Sequence, residues 1–137
     1  MEILHPPDWA QLRGYVHGVA ATGKTVYVAG QIGVPGKLGW MPESLDHIAP
    51  DMTGQFRVVL ENIVAVLAEA DARPEHIVKL TWFITDKAEY FRSLADLGRV
   101  YRDVIGRHFP AMSVIEVHGL VQPGAKVEIE ATAVVPA

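Results

Sequence analysis

The chain has 137 residues, half of them hydrophobic and a fifth charged, with a formal charge of −4 and no cysteine. That length and apolar content predict one globular domain over residues 1–137 and exclude a disordered tail protein. The acidic balance, without a Lys/Arg run, argues against a nucleic-acid partner, and the missing cysteines exclude disulfides, thiolate metal sites and a cysteine nucleophile.

Met1 to Trp9 contains two prolines and acidic residues but no apolar h-region of a signal peptide. No apolar run approaches the ~20 residues of a membrane helix, so a soluble cytoplasmic protein without membrane contact is expected. Tyr15 to Gly30 reads as a hairpin, two β-rich runs flanking Thr22-Gly23-Lys24 with glycine supplying the positive φ of the turn. Residues 33–50 hold three glycines and three prolines around Trp40, a long irregular loop of the kind that binds or covers a ligand.

A helix is predicted from Pro50-Asp51, capped by Asp51 or Thr53 and ended by Pro74. Its apolar stripe is Val58, Val59, Ile63, Val66, Leu67 and Ala70, with Gln55, Arg57, Glu61, Asn62 and Glu69 elsewhere around it. His76 to Thr85 is apolar almost throughout, as in a strand covered on both faces. Asp86-Lys-Ala-Glu89 has the form of a capping box opening a second helix, buried through Leu94, Leu97, Tyr101, Val104 and Ile105 and stopped at Gly106. Two closing strands complete the order β-β-α-β-α-β-β, an α+β fold with a mixed sheet and two helices on one face.

Alternation assigns the faces of the closing strands. Ser113, Ile115 and Val117, with Val127, Ile129, Ala131 and Ala133, are expected to meet the helices; Met112, Val114, Glu116 and His118, with Glu128, Glu130, Thr132 and Val134, are expected on the other side. Two helices leave that second side uncovered. Apolar residues mixed with acids there predict an interface between copies of the chain.

Glu116, Glu128 and Glu130 are the candidate chemical groups. A carboxylate partly buried at such an interface could hold or deprotonate a water, although alternating glutamates are also what a solvated strand face looks like. The histidines, His5, His17, His47, His76, His108 and His118, lack the paired spacing that brings metal ligands together, so no metal is expected. Ala29-Gly30-Gln31-Ile32-Gly33 has neither the spacing nor the lysine of a phosphate loop, and Gly30 predicts a close approach by a backbone or a ligand instead. Ser44, Ser93 and Ser113 have no nucleophile-elbow context. Trp9, Trp40 and Trp82 read as core or interface anchors, with Trp40 also a candidate cap over a pocket.

Gly14-Tyr15, Ala29-Gly30-Gln31-Ile32, Gln55 with Leu60-Glu61-Asn62-Ile63, Thr85-Asp86, Phe109-Pro110-Ala111 and the closing Val127-Glu-Ile-Glu-Ala-Thr-Ala-Val134 together resemble the RidA/YjgF family of reactive-intermediate deaminases, from about Tyr15 to Val134. The resemblance implies a chorismate-mutase-like subunit in a homotrimer whose sheets line a central barrel, with small-metabolite clefts between subunits. It implies hydrolysis of imines and enamines such as 2-aminoacrylate to keto acids and ammonia, without a cofactor. It places Tyr15, Gly30, Ala111 and residue 112 along the substrate cleft and makes Glu128 the residue that positions the attacking water.

At residue 112 this chain departs from the pattern. Active members carry an arginine there, which clamps the substrate carboxylate bidentately; Met112 is uncharged and a poor hydrogen-bond acceptor. Losing that contact in a desolvated cleft costs roughly 3 kcal/mol or more of transition-state binding. The expectation is therefore an arginine-less hydrolase for a substrate less acidic than 2-aminoacrylate, or a non-catalytic trimer binding a small metabolite. An endoribonuclease, an activity attributed to some relatives, fits the acidic balance least. Arg13, Arg57 and Arg107 are candidates to reach the cleft from another direction.

Overall fold

The structure, a computed structural model, describes residues 1–39 and 46–137. Its strands are β1 (Glu2–Leu4), β2 (Gly18–Ala20), β3 (Lys24–Ile32), β4 (Ile77–Ile84), β5 (Ala111–Glu116) and β6 (Val127–Val135), and its α-helices are α1 (Met52–Ala68), α2 (Lys87–Arg92) and α3 (Leu94–Val104). The main sheet has the order β3-β6-β4-β5, with β4 and β5 parallel and the other pairs antiparallel. A parallel pair needs a long crossover, which α2 and α3 provide. This mixed α+β architecture agrees with the expected class. The second helix is two segments, divided at Ser93.

The expected hairpin does not form. β2 pairs with β1, whereas β3 pairs with β6. Gly23 explains the difference: a Cβ there would lie 2.8 Å from the carbonyl carbon of Val135. The glycine lets the chain run onto the end of β6 instead of folding β3 back on β2.

Asp51 caps α1, accepting a hydrogen bond from Gly54 N at 3.0 Å. The buried side of this helix is rotated from the predicted stripe. Phe56, Val59, Leu60, Ile63 and Leu67 are fully buried, while Val66 is exposed. Gln55 is fully buried too, and its amide accounts for that: Nε2 donates to Ala49 O and Gly124 O, and Oε1 accepts from Lys126 N. The buried polar group is satisfied by loops that lack a ladder of their own.

Register corrects one face assignment. On β6, Val127, Ile129, Ala131 and Ala133 are buried in the core, as expected. On β5 the phase is opposite to that expected. Met112 pairs with Leu80, Val114 with Trp82 and Glu116 with Ile84, and these three β4 residues are buried opposite Ala131, Ile129 and Val127. Residues directly opposite in a ladder share a face. Met112, Val114 and Glu116 therefore lie on the helix side, and Ser113 and Ile115 share the other face with Glu128 and Glu130. Both alternate sets on β5 are apolar enough to be core, so alternation alone could not choose; pairing with β4 does. On the outer face Tyr27 is 80% exposed and Ile115 44%.

Candidate functional site

The candidate residues gather at two places. Gly30, Ile32, Asn62, Gln122 and Glu128 line a cleft of about 390 Å³. Tyr15 and Met112 line a separate cavity of about 600 Å³, together with Arg13, Trp82, Tyr90 and Arg102.

The cleft at Gly30 is built around a β-bulge. Val28 faces Ala131 and Gln31 faces Ile129, so β3 carries one residue more than β6 between these pairs. Bulges re-aim side chains and recur beside functional sites. A Cβ on Gly30 would lie 2.8 Å from Glu128 Cδ; glycine is what admits the carboxylate. A backbone or a ligand was expected to approach Gly30; the group that does so is the Glu128 side chain. Asn62 holds the neighbouring loop, donating to Val34 O at 2.8 Å and accepting from Gly36 N at 3.0 Å. Gln55 holds Lys126 at the entry to β6. Two amides of α1, Gln55 fully buried and Asn62 half-buried, thus hold the chain at both strands that form the corner.

The larger cavity has aromatic walls. Trp82 lies between Phe56, at 4.6 Å between ring centroids, and Tyr90, edge-on at 5.9 Å. Tyr101 stacks on Phe109 at 5.5 Å. Burial pushes the Tyr101 phenol above its ordinary range, and burial followed by the nearby Tyr15 does the same for Tyr90. Ala111 contributes backbone: its parallel bridge to Val16, with Val16 N donating to Pro110 O, brings Tyr15 alongside β5.

Other candidates have different places. Glu116 accepts from Lys87 N at 2.8 Å and so caps α2. This ties it to the helix side, away from Glu128. His17 sits in a ring cluster with Trp9, His5 and Tyr15. Arg57 is paired with Asp103, and Arg107 lines neither cavity. Trp40 falls outside the described residues. Among the described residues no three His, Cys, Asp or Glu side chains come together as a metal site, and no helix is long and apolar enough to cross a membrane.

Sequence reasoning missed Arg102 and Glu89. Glu89 N receives the Asp86 cap as predicted, but its carboxylate leaves the capping box. It accepts from Met52 N at 2.8 Å and from Lys126 Nζ at 2.7 Å, tying α2 to the start of α1 and the entry of β6. Arg102 had a signal of limited use: spacing puts it one residue from the buried Tyr101, but only the tertiary path of α3 brings it to the cavity.

Residues 8–135 match the family model described as Endoribonuclease L-PSP. The chain belongs to this family. It is 35% identical to the 2-iminobutanoate/2-iminopropanoate deaminase of Salmonella typhimurium over 91% of this chain and 90% of that one. It is also 35% identical to protein DfrA of Myxococcus xanthus over 82% of this chain and 77% of that one. Among solved structures it resembles YyfB of Yersinia pestis, a conserved Rid-family protein of unknown function, with a TM-score of 0.78, 27% identity and 98% of each chain covered. These matches place the chain in the RidA/YjgF family, as its motifs indicate.

Proposed function

We propose that this family member hydrolyses a reactive imine or enamine metabolite in clefts between the subunits of a homotrimer. The observation that carries the reading is the Gly30–Glu128 corner. Glu128 is half-buried against a bulge that only glycine allows, and among the described residues no side-chain hydrogen bond engages its carboxylate. A carboxylate so placed can hold a water, take its proton as the oxygen adds to the imine carbon, and return a proton to nitrogen as ammonia leaves. The products are a carbonyl compound and ammonia. No bound group is required by this balance.

The placement of the two halves supports a site assembled from more than one copy. Glu128 and Met112 lie on opposite faces of the sheet with β4 between their strands, so one copy cannot close both around a small substrate. A second copy could set its Tyr15–Met112 wall against the Gly30–Glu128 corner of the first, and the outer face with Tyr27 and Ile115 offers the surface for assembly.

The test is ammonia release from a panel of imines and enamines by wild type, Glu128→Ala and Met112→Arg. Wild type should exceed the uncatalysed rate on some member, and Glu128→Ala should lose about 100-fold or more, the scale of a general base. Met112→Arg should gain about tenfold or more on 2-aminoacrylate, the scale of a charged hydrogen bond. Background rates throughout the panel would sink the reading. A second reading, a non-catalytic metabolite-binding trimer, is favoured by the uncharged Met112 in an aromatic wall; it expects ligand binding that survives Glu128→Ala.

A further inference from the structure

The small sheet of β1 and β2 brings two imidazoles together. Its register pairs Glu2 with Ala20, Ile3 with Val19 and Leu4 with Gly18, so the next step of the ladder sets His5 opposite His17. Directly opposed residues share a face, and the two ring centroids are 5.9 Å apart with 36° between the ring planes. Spacing along the chain hides this pair, because the usual two-histidine patterns describe ligands on a single helix or strand. His5 Nε2 lies 3.1 Å from Trp9 O. A carbonyl only accepts, so in the neutral ring that nitrogen carries the proton and Nδ1 keeps its lone pair. An imidazole whose N–H is spent on a backbone carbonyl is the arrangement that orients metal-ligating histidines. Pro6 and Pro7 restrict the segment that brings Trp9 O back to His5, and Trp9 N closes the turn on Pro6 O at 3.1 Å. The Trp9 ring meets the His17 ring edge-on at 4.6 Å, packing the second imidazole in place.

We propose that His5 and His17 form a binding site for a divalent transition-metal ion, with copper(II) held most tightly. Two imidazoles on one ion, at metal–nitrogen distances of about 2.1 Å, have ring centroids roughly 5–6 Å apart, so this pair closes on an ion with small side-chain rotations. Neutral nitrogen ligands rank copper(II) above nickel(II) and zinc(II), and they do not suit magnesium or calcium, which take oxygen ligands. Among the described residues no third His, Asp or Glu side chain joins the pair, so water completes the coordination. The ion cross-links β1 to β2, strands of three residues each whose pairing is marginal alone. It also lies beside the strand entry that carries Tyr15, whose ring is 6.4 Å from that of His17. The site stands apart from the imine chemistry and does not depend on it.

Titration of the untagged full chain with copper(II) chloride, read by tryptophan fluorescence and electron paramagnetic resonance, tests it. Copper(II) quenches an indole at short range, and Trp9 in ring contact with His17 is the reporter. Quenching should be saturable, with one ion bound per chain, and the resonance spectrum should show two equatorial nitrogens. Trp9→Phe should lose most of the quenching and keep that spectrum. His17→Ala and His5→Ala should each weaken binding about tenfold or more, at least the scale of a disturbed outer shell. His118→Ala, which removes an exposed histidine elsewhere on the chain, should match wild type. Zinc chloride should compete only in excess, and magnesium chloride not at all. Because His5 also holds Trp9 O, the exposed His17 carries the decision, and His17→Ala should melt like wild type without metal. Copper affinity unchanged in His17→Ala, an equal loss in His118→Ala, or a spectrum with a single nitrogen each overturns the proposal.

Discussion

The corner at Gly30 is held by hydrogen bonds, with a bulge between β3 and β6 and the amides of the buried Gln55 and the half-buried Asn62 fastening the loops on either side. The wall around Met112 is held by packing, with Trp82, Tyr90, Tyr101 and Phe109 in ring contact and two arginines at an open rim. Directional bonds fix an atom's position and tolerate little change, whereas aromatic packing accepts a new side chain if volume and edge contacts are kept. On the proposed reading, substitution at the corner is costly, whereas the packed wall accepts a side chain such as Met112 at small cost.

The sharpest way to break the comparison is Gly30→Val. The new side chain must occupy the space of the Glu128 carboxylate, so imine hydrolysis should fall about 100-fold or more, as when a general base is displaced. Ligand binding at the packed wall should persist. Kinetics and ligand-induced thermal shift on one variant check both parts, and joint loss with an intact thermal melt would mean that the wall binds only when the corner of a second copy is set against it.

A smaller effect is expected at the joint between the regions. Glu89 is only 13% exposed at its side chain and bonds both the start of α1 and Lys126, two residues before Glu128. Glu89→Ala leaves the Met52 N–H and a part-buried ammonium without their acceptor. That should cost about 3 kcal/mol and lower Tm by about 10 °C for a domain of this size. Thermal melts of Glu89→Ala and Glu89→Gln check it, the glutamine recovering part of the loss by accepting one of the two bonds. Equal Tm in all three proteins would reduce this contact to a surface pair.

How far the sequence disclosed these regions follows from the kind of bond each uses. The Gly30 corner was legible because glycine in a strand signals a close approach and the closing glutamates alternate cleanly with buried Val127, Ile129 and Ala131. The phase of β5 was not, because Val114 and Ile115 are equally apolar and only the register against Leu80 and Trp82 separates them. Gln55 and Asn62 looked like solvated positions of an amphipathic helix; their partners, at Lys126, Gly124 and Val34, are distant in sequence or set in loops without a pattern. Val66 fitted the helical period yet faces outward, since the period leaves a stripe free to rotate until Phe56 meets Trp82.

The smallest expected effect separates the regions by pH. Tyr101 donates its hydroxyl proton to His108 O, and burial raises its pKa; Tyr90, less enclosed, is raised in the same sense. A group whose folded pKa lies above its unfolded value lends its full contribution while both states remain protonated. As pH climbs through about 10, the unfolded chain releases its phenolic protons first and stability falls. Tyr101→Phe lacks that share of the alkaline loss but also lacks the hydrogen bond, worth about 1 kcal/mol at neutral pH. Melts from pH 8 to 11 should therefore show the variant a few degrees below wild type at the acid end, with the gap closing as pH rises. Parallel curves across that range would mean that the packed wall opens to water before it titrates. The carboxylate corner holds no such phenol, and Gly30→Val should keep the wild-type alkaline slope.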